Sequence, residues 1–436
     1  MHHTDEETIA LVPELPQAPE SLSEIRMCHA TLEDLALKIL LLTGSQSLKQ
    51  LADKTRLSFG VASELLRRLR AGLLCEVTGM IGDFPQIAIT SIGRSRALEL
   101  LSVNQYAGVA PVSFESYVAQ VRRQSVRDVE VHSDQVRRAF ADLTLDSELL
   151  RKLGTALNSG APIFLYGPSG TGKTTIATAL SQAFMFDRIW IPHAVEADGQ
   201  IICVYDPLVH GEIDGPVPEY SDPRWVLCRR PSVVVGGELT IEMLELQFNS
   251  VTKFYTAPVQ MKANNGILII DDFGRQRLRP EELLNRWIVP LDRRVDFLTL
   301  AGGMKLEIPF ELFVVFATNL DPATLVDPAF LRRIQTKIKV DAVSDQQFHA
   351  IFRQVCNNFG LQCDPVVIDE LINVIRRRVK EPLRACLPRD IVNQVRWAAR
   401  YERKKPRLDR DALMTAVDAY FVPHSSEFEV EQIHVQ

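Results

Sequence analysis

The sequence predicts an α/β fold in three parts: a parallel-sheet core, a helical domain behind it, and a smaller unit of helices and a hairpin in front. Three observations carry this prediction. From residue 133 to 343, strand-like apolar runs alternate with helices, the pattern of a layered α/β sheet. One of those runs, PIFLY (162–166), leads straight into the glycine-rich stretch GPSGTGKTT (167–175) and then a helix. From 344 to 422 the periodicity is purely helical, whereas 23–105 combines helical spacing with two short alternating strands.

At 436 residues the chain is too long for one ordinary domain. With 46% apolar and 24% charged residues it can bury a sizeable core, and a net charge of -6 excludes a cationic coat while leaving room for a local basic patch. The 7 cysteines include no CxxC pair, and Cys356 and Cys363 match no zinc spacing. They read as reduced thiols in a cytoplasmic protein. No apolar run approaches the roughly 18 residues of a membrane span. The N-terminus, MHHTDEET, is acidic where a signal peptide is basic.

The elements follow in order. Residues 1–22 place Pro13, Pro16 and Pro19 among acids, the composition of a flexible arm. An apolar helix spans 32–42, and Ser47 reads as the N-cap of a short helix over 47–55. After a turn at Leu57 and Ser58, the apolar residues Val61, Leu65, Leu66 and Leu69 recur at helical spacing. The strand-like pieces LLCEV and QIAIT flank a glycine turn, and a last helix starts near Gly93. This order resembles a winged helix-turn-helix. Residues 58–70 are then the recognition helix, with Arg67, Arg68 and Arg70 as its DNA-facing charges. Those arginines stand at a helix C-terminus, where the dipole favours cations in any case. Winged helices also dock proteins, so both roles stay open. The unit is expected to be separable from the rest. Residues 106–132 give no firm element and read as a linker.

In the core, the runs at 162–166, 188–192, 201–205, 232–235, 266–270 and 312–318 read as strands. The stretch 167–175 fits G-x-x-x-x-G-K-[ST] at every fixed position, between a strand and a helix. Gly167, Gly170 and Gly172 let the backbone curl so that its N–H groups face an anion; Pro168, Ser169, Thr171 and Thr175 complete the cradle, and the helix N-terminus adds positive charge. Lys173 is placed to reach the β- and γ-phosphates of ATP, and the Thr174 hydroxyl to ligate Mg²⁺. A second strand must deliver a carboxylate to the metal. GILIIDDFG (266–274) supplies it: Asp271 as the Mg²⁺ anchor, Asp272 as the acid that activates water.

With these motifs the chain resembles the AAA+ ATPase superfamily over residues 133–422, on five elements in order. Besides GPSGTGKT and ILIIDD, the resemblance implies that Asn319, after FVVFAT, is the sensor 1 residue that orients water. It implies that DPAFLRRI (327–334) carries an arginine finger, Arg332 or Arg333, reaching a neighbouring subunit's nucleotide. It implies that Arg389, in LPRD (387–390), is the sensor 2 contact to the γ-phosphate. Each has a plainer reading: Asn319 as a turn cap, an arginine as a surface cation, Arg389 as a first-turn residue, although a cation is disfavoured there. Between 296 and 310, LTL and KLEI flank Ala-Gly-Gly, a hairpin signal. A hairpin before sensor 1 resembles the branch with MoxR-type chaperones and bacterial enhancer-binding activators. The activators' GAFTGA loop is absent, so sigma-factor remodelling is not expected.

The stretch 187–263 carries no recognisable chemistry beyond a hairpin around EADGQIICVYDP. His193 is open to two roles, a polar switch restraining Asp272 or an ordinary loop histidine. The resemblance implies a homo-oligomer, a hexameric ring, that hydrolyses ATP at subunit interfaces and remodels a protein or protein–DNA target, with no membrane involvement. Two other functions fit: a DNA-binding regulator whose assembly ATP controls, and a nucleotide-binding scaffold with little hydrolysis. Relatives in the superfamily usually carry Asp then Glu at the second motif. Asp272 is one methylene shorter, which predicts slow hydrolysis. Residues 423–436 read as a loose tail.

Overall fold

The computed structural model describes residues 15–213, 218 and 220–421. Most of the expected arm, 1–14, and the tail, 423–436, lie outside the described residues.

The N-terminal unit runs α1 (His29–Thr43), β1 (Gln46–Ser47), α2 (Leu48–Thr55), α3 (Phe59–Ala71), β2 (Cys75–Ile81), β3 (Phe84–Ile89) and α4 (Ser91–Val103). β3 pairs antiparallel with both β1 and β2. Ser47 starts α2 with a full capping box closed by Gln50, and Ser58 caps α3. The apolar residues at helical spacing, Val61, Leu65, Leu66 and Leu69, all turn inward.

The expected separability of this unit does not hold, because its core does not close on itself. Ala194 and Ile201, from far along the chain, are buried in the same cluster as Leu32, Leu51 and Leu65, and Cys203 and Phe254 pack against it. Backbone bonds reinforce the junction: the Gln105 amide donates to Thr252, and that of Ala110 to Thr55. Residues 15–22 act as a strap. The Asp222 amide donates to the Pro16 carbonyl (2.7 Å), that of Ala18 to Tyr220 (3.1 Å), and the Ser58 hydroxyl to the Pro19 carbonyl (2.7 Å). Leu22 is only 1% exposed. The strap crosses α3 at Gly60, where a Cβ would stand 2.7 Å from the Glu20 carbonyl oxygen.

Residues without a firm sequence signal form β4 (Val112–Ser113) and α5 (Phe114–Arg123). Then come α6 (Ser133–Ala139), α7 (Ser147–Ser159), β5 (Ile163–Tyr166) and α8 (Lys173–Leu180). Next are β6 (Arg188–Pro192), β7 (Ala194–Ala197), β8 (Gln200–Cys203), β9 (Trp225–Arg229) and β10 (Ser232–Val235), followed by β11 (Gln247–Phe248), β12 (Tyr255–Thr256), α9 (Val259–Lys262) and β13 (Ile267–Ile270). The core ends with α10 (Pro280–Arg293), the hairpin β14 (Val295–Thr299) and β15 (Lys305–Pro309), β16 (Phe313–Thr318), α11 (Pro322–Leu325), α12 (Pro328–Leu331) and β17 (Thr336–Lys339).

The central sheet has the order β10-β13-β16-β5-β17, and every pairing is parallel. Parallel sheets are covered on both faces, which is why its strands are continuous apolar runs. Alternate residues serve the two faces: Ile163, Ile267, Ile269 and Val315 join one core cluster, Phe164, Leu268, Ile270 and Phe316 the other.

Two runs assigned to this sheet from sequence lie elsewhere. β6 pairs antiparallel with β9. β7 and β8 form a hairpin that turns at Asp198–Gly199 and joins a second sheet, β11-β12-β8-β7-β4. Their apolar character comes from a different cover: Tyr117 and Val121 of α5 share their cluster, and the N-terminal unit covers Ala194 and Ile201. A buried polar joint links this insert to the central sheet. The Gln124 amide donates to the Trp190 carbonyl (2.9 Å) and to Asn265 Oδ1 (3.0 Å), and Asn265 Nδ2 donates to the Val121 carbonyl (2.7 Å).

The last domain packs α13 (Asp345–Asn358), α14 (Pro365–Val374), α15 (Leu387–Tyr401) and α16 (Arg410–Tyr420) around its own core. All seven cysteines are free thiols. No helix among the described residues is long and apolar enough to cross a membrane.

Deleting residues 1–105 uncovers Ala194, Ile201 and Phe254. The truncated protein is expected to aggregate or melt at least several degrees lower in a thermal scan. A truncation that melts with the parent contradicts the shared core. A second expectation concerns His193, which burial, with a smaller push from Arg56, holds down to a pKa of about 4. The unfolded chain protonates it near 6.5, so the stabilisation is present above pH 6.5 and lost as pH falls through 4. His193→Gln should therefore show a shallower loss of melting temperature across that window.

Candidate nucleotide site

The site lies where the central strands end. β5 stops at Tyr166 and the chain enters the glycine-rich loop; Gly167 takes φ +143, and a Cβ on it would stand 2.3 Å from the Val340 carbonyl oxygen. Lys173 opens α8. Its ammonium folds back on the loop, donating to the carbonyls of Gly167 (2.9 Å) and Pro168 (2.8 Å). Burial lowers its pKa, while Asp271 and Asp272 pull the other way. A buried ammonium satisfied only by carbonyls is ready to exchange them for phosphate oxygens.

Beside it the Thr174 hydroxyl donates to Asp271 (2.8 and 3.1 Å to the two oxygens). One carboxylate and one hydroxyl meeting at a phosphate cradle suit Mg²⁺, which keeps several waters and completes its octahedron with phosphate oxygens. Asp271 and Thr174 are the residues that would hold it.

Asp272 is left-handed, with φ +48, and its N–H donates to Asp271 Oδ1 (3.0 Å). The chain therefore reverses at once after the strand and exposes the second carboxylate to the cleft. Aspartate tolerates this region better than longer side chains, which gives a local reason for Asp at a position where the resemblance implied Glu. Gln276 braces the turn, donating to the Asp271 carbonyl (2.8 Å) and accepting from the Gly274 amide (2.8 Å). The Thr318 hydroxyl donates to the Phe273 carbonyl (2.7 Å), tying the end of β16 to the same turn. The sequence reading missed both braces; neither belongs to a spaced motif.

Asn319 follows β16. Its Oδ1 is buried and has no hydrogen-bond partner, which leaves an acceptor beside the phosphate end. Arg389 opens α15 and is exposed, with one long contact, 3.4 Å, to Asp390. A single cleft of about 420 Å³ gathers Ser169 to Thr175, Asp271, Asp272, Asn319 and Arg389. Leu143, Leu145, Ile351 and Val355 line it as well, an apolar wall suited to a nucleobase that the sequence did not reveal. The helical domain closes directly on the loop: the Cys386 amide donates to the Gly170 carbonyl (3.1 Å), and a Cβ on Gly170 would stand 2.7 Å from the Cys386 sulfur.

Arg332 and Arg333 do not reach this cleft. They line a second one, of about 550 Å³, together with Arg127 and Arg294. Arg333 donates to Asp292 (2.8 Å), whereas Arg332 is exposed and makes no ion pair among the described residues. His193 lies outside both clefts. Its ring packs edge-on against Tyr205, 5.1 Å between centroids, so it is a half-buried structural histidine rather than a restraint on Asp272. On α3, Arg68 is paired with Glu33 (2.6 Å) and Arg67 with Glu64 (3.4 Å).

A strand-end glycine loop, a lysine at the helix start and a threonine–aspartate pair define a P-loop nucleotide site. Residues 163–342 match the model of the "ATPase family associated with various cellular activities (AAA)", and the core is an AAA+ ATPase domain. Residues 344–419 match a "Domain of unknown function (DUF8689)". No curated protein matches the chain. Among solved structures, the Thermotoga maritima RuvB Holliday junction branch migration motor aligns at 12% identity over 63% of this chain and 69% of its own, with a TM-score of 0.36. A point mutant of the same protein aligns at 11% identity over 66% and 70%, with a TM-score of 0.37. That likeness is too distant to assign an activity.

Lys173→Ala removes the cation from the cradle and is expected to weaken ATP binding at least 100-fold, on the order of 3 kcal/mol, in a calorimetric titration with Mg²⁺. Asp271→Asn should retain part of the affinity but lose its Mg²⁺ dependence. Unchanged binding by Lys173→Ala places the nucleotide elsewhere.

Proposed function

We propose that the chain is an ATP-hydrolysing motor that works in the cytoplasm as a homo-oligomeric ring, hexameric on the superfamily pattern, and remodels a protein target. One observation supports this above the rest: the phosphate loop, both aspartates, Asn319 and Arg389 share one cleft, while Arg332 faces another. A complete site therefore needs the Arg332 face of a second copy.

Within one copy, Lys173 leaves the carbonyls of Gly167 and Pro168 to hold the β- and γ-phosphates. Thr174 and Asp271 would hold Mg²⁺, which would supply charge neutralisation on the phosphates. Asp272 polarises the attacking water, and the Asn319 acceptor orients it. Arg332 of the next copy stabilises the charge that develops on the transferred group. Of the two arginines in DPAFLRRI, Arg332 is the better finger, because Arg333 is held by Asp292. The loss of the γ-phosphate frees Arg389. The helical domain, bonded to the loop at Gly170, then changes its angle. The hairpin β14–β15 stands just ahead of β16 and is the natural moving part in a hairpin-bearing branch of the superfamily.

A winged-helix role for the N-terminal unit remains our reading of its element order. The strap crosses α3 at Gly60 and Arg68 is paired with Glu33, which favours a protein target, while Arg67 and Arg70 stay exposed and keep the DNA reading open. Asp272 supports a second reading, a nucleotide-binding scaffold: a catalytic oxygen misplaced by about 1 Å costs on the order of 10²-fold in rate.

Asp272→Asn should keep ATP affinity and lose turnover by on the order of 10²-fold. Turnover equal to the parent's favours the scaffold. Asp272→Glu gains reach but strains the left-handed backbone by about 1–2 kcal/mol, so activity should persist in a less stable protein. For the shared site, Arg332→Ala should abolish turnover and Arg333→Ala reduce it less. Mixing Arg332→Ala with Lys173→Ala should restore part of the activity; mixed oligomers that stay inactive argue against a finger in trans.

A further inference from the structure

Positive charge gathers on the helical domain. Residues 344–421 hold 14 lysines and arginines against 10 aspartates and glutamates, a net +4 in a chain of -6. The excess is local. The stretch RWAARYERKKPR (396–407) has six cations and one acid, Glu402, which pairs with Lys404 (2.8 Å). Arg400, Arg403, Lys405 and Arg407 are exposed and pair with no carboxylate among the described residues.

Two large aromatic rings stand among these cations. Trp397 is 58% exposed and Tyr401 91%, whereas Trp190, Trp225 and Trp287 are all buried. Both rings lie on α15, which turns Ile391, Val392 and Val395 inward. Trp397, Arg400 and Tyr401 share its outward face, at i, i+3 and i+4. Arg396 is held beside them: its guanidinium lies over the Phe359 ring, 3.8 Å from the centroid, and donates to Asn393 (3.0 Å). Past the helix the chain stays against its end. The amides of Arg403 and Lys404 donate to the carbonyls of Arg400 (3.2 Å) and Ala399 (2.8 Å). Arg403 takes φ +56, a position that glycine usually fills after a helix. The turn therefore carries a cation where the backbone disfavours any side chain, and keeps it close to Tyr401.

Unpaired cations around exposed rings select an anionic partner. Bases supply flat faces for the rings, and phosphates supply the charge. Four residues of helix set the two rings about 6 Å apart along the axis, so unstacked bases can meet both while the arginines follow the backbone. A duplex hides its base faces, and an acidic peptide brings charge without them. We propose that this face of the helical domain binds single-stranded nucleic acid, with Trp397 and Tyr401 as stacking platforms and Arg400, Arg403, Lys405 and Arg407 as phosphate contacts. Arg389 opens the same helix, which puts strand and nucleotide at its two ends, about 18 Å apart. The surface does not rest on the motor reading, and it leaves the N-terminal unit free to take a protein target.

The test titrates full-length protein into a labelled oligothymidylate of about 16 nucleotides, and into its duplex with oligoadenylate, and reads anisotropy. Tryptophan emission is followed with the unlabelled strand. Because the other three tryptophans are buried, stacking on Trp397 should quench the exposed part of that emission. Trp397→Ala and Tyr401→Ala should each weaken single-strand binding on the order of 10-fold without shifting the melting temperature or the ATP affinity, and Trp397→Phe should recover most of the loss. Changing Arg400, Arg403 and Lys405 together to glutamine should lower the slope of log affinity against log salt by about 2. Duplex bound as tightly as the single strand, or polyglutamate bound as tightly as either, overturns the proposal in favour of plain charge recognition. Emission that falls with protein concentration and does not respond to the strand assigns the face to a second copy and overturns it too. So does an absence of binding, or binding that these variants leave intact and that Arg67→Gln/Arg70→Gln removes. None of these readouts depends on hydrolysis, so their failure leaves the motor reading to the Asp272 variants.

Discussion

Parallel pairing of β13, β16 and β5 is the constraint on which the rest depends. Their registers set Ile270 beside Phe316, and Thr318 beside Tyr166. Gly167 and Asn319 are therefore the first residues beyond one paired end, with Asp271 beside them on the next strand. Three groups far apart in sequence emerge at one edge because the strands run the same way. Open parallel sheets place ligands at the carboxyl ends of their strands for this reason. Reversing a strand would keep the burial and destroy the site.

Much of this was legible in advance, and unevenly. The glycine loop could be read because phosphate binding demands fixed residue types at fixed spacing. Asp271 could be read because a buried strand seldom ends in two acids without a use for them. The helices of the last domain could be read from periodicity alone. What escaped was whatever depends on contacts between distant segments. Apolar strands such as RIWIP look the same whether a helix or another sheet covers them, so β6 to β8 could not be assigned to the right layer. Gln276 and Thr318 are ordinary polar residues until a turn brings them to Asp271 and Phe273. The strap escaped because prolines and acids suggest a solvated arm, while its attachment uses mainly backbone groups.

The second aspartate links chemistry to mechanics. Its left-handed turn is held by Gln276 from one side and by Thr318 from the other, so the positions of Asp272 and Asn319 are set by one braced corner. The same strand begins just after Asn265, which is bonded through Gln124 to α5 and to β6. A displacement of the insert has a short path through β13 to the Asp272 carboxylate.

The interleaved core of the N-terminal unit bears on how the protein is made. Helices α1 to α4 leave the ribosome early, but Ala194, Ile201 and Phe254, which complete their packing, follow much later. At about 5–20 residues per second, the interval from the end of α4 to Phe254 is roughly 8–30 s. Through that interval the nascent unit shows an open apolar face. Transiently exposed apolar surface of this kind is what makes a partly made chain prone to aggregate.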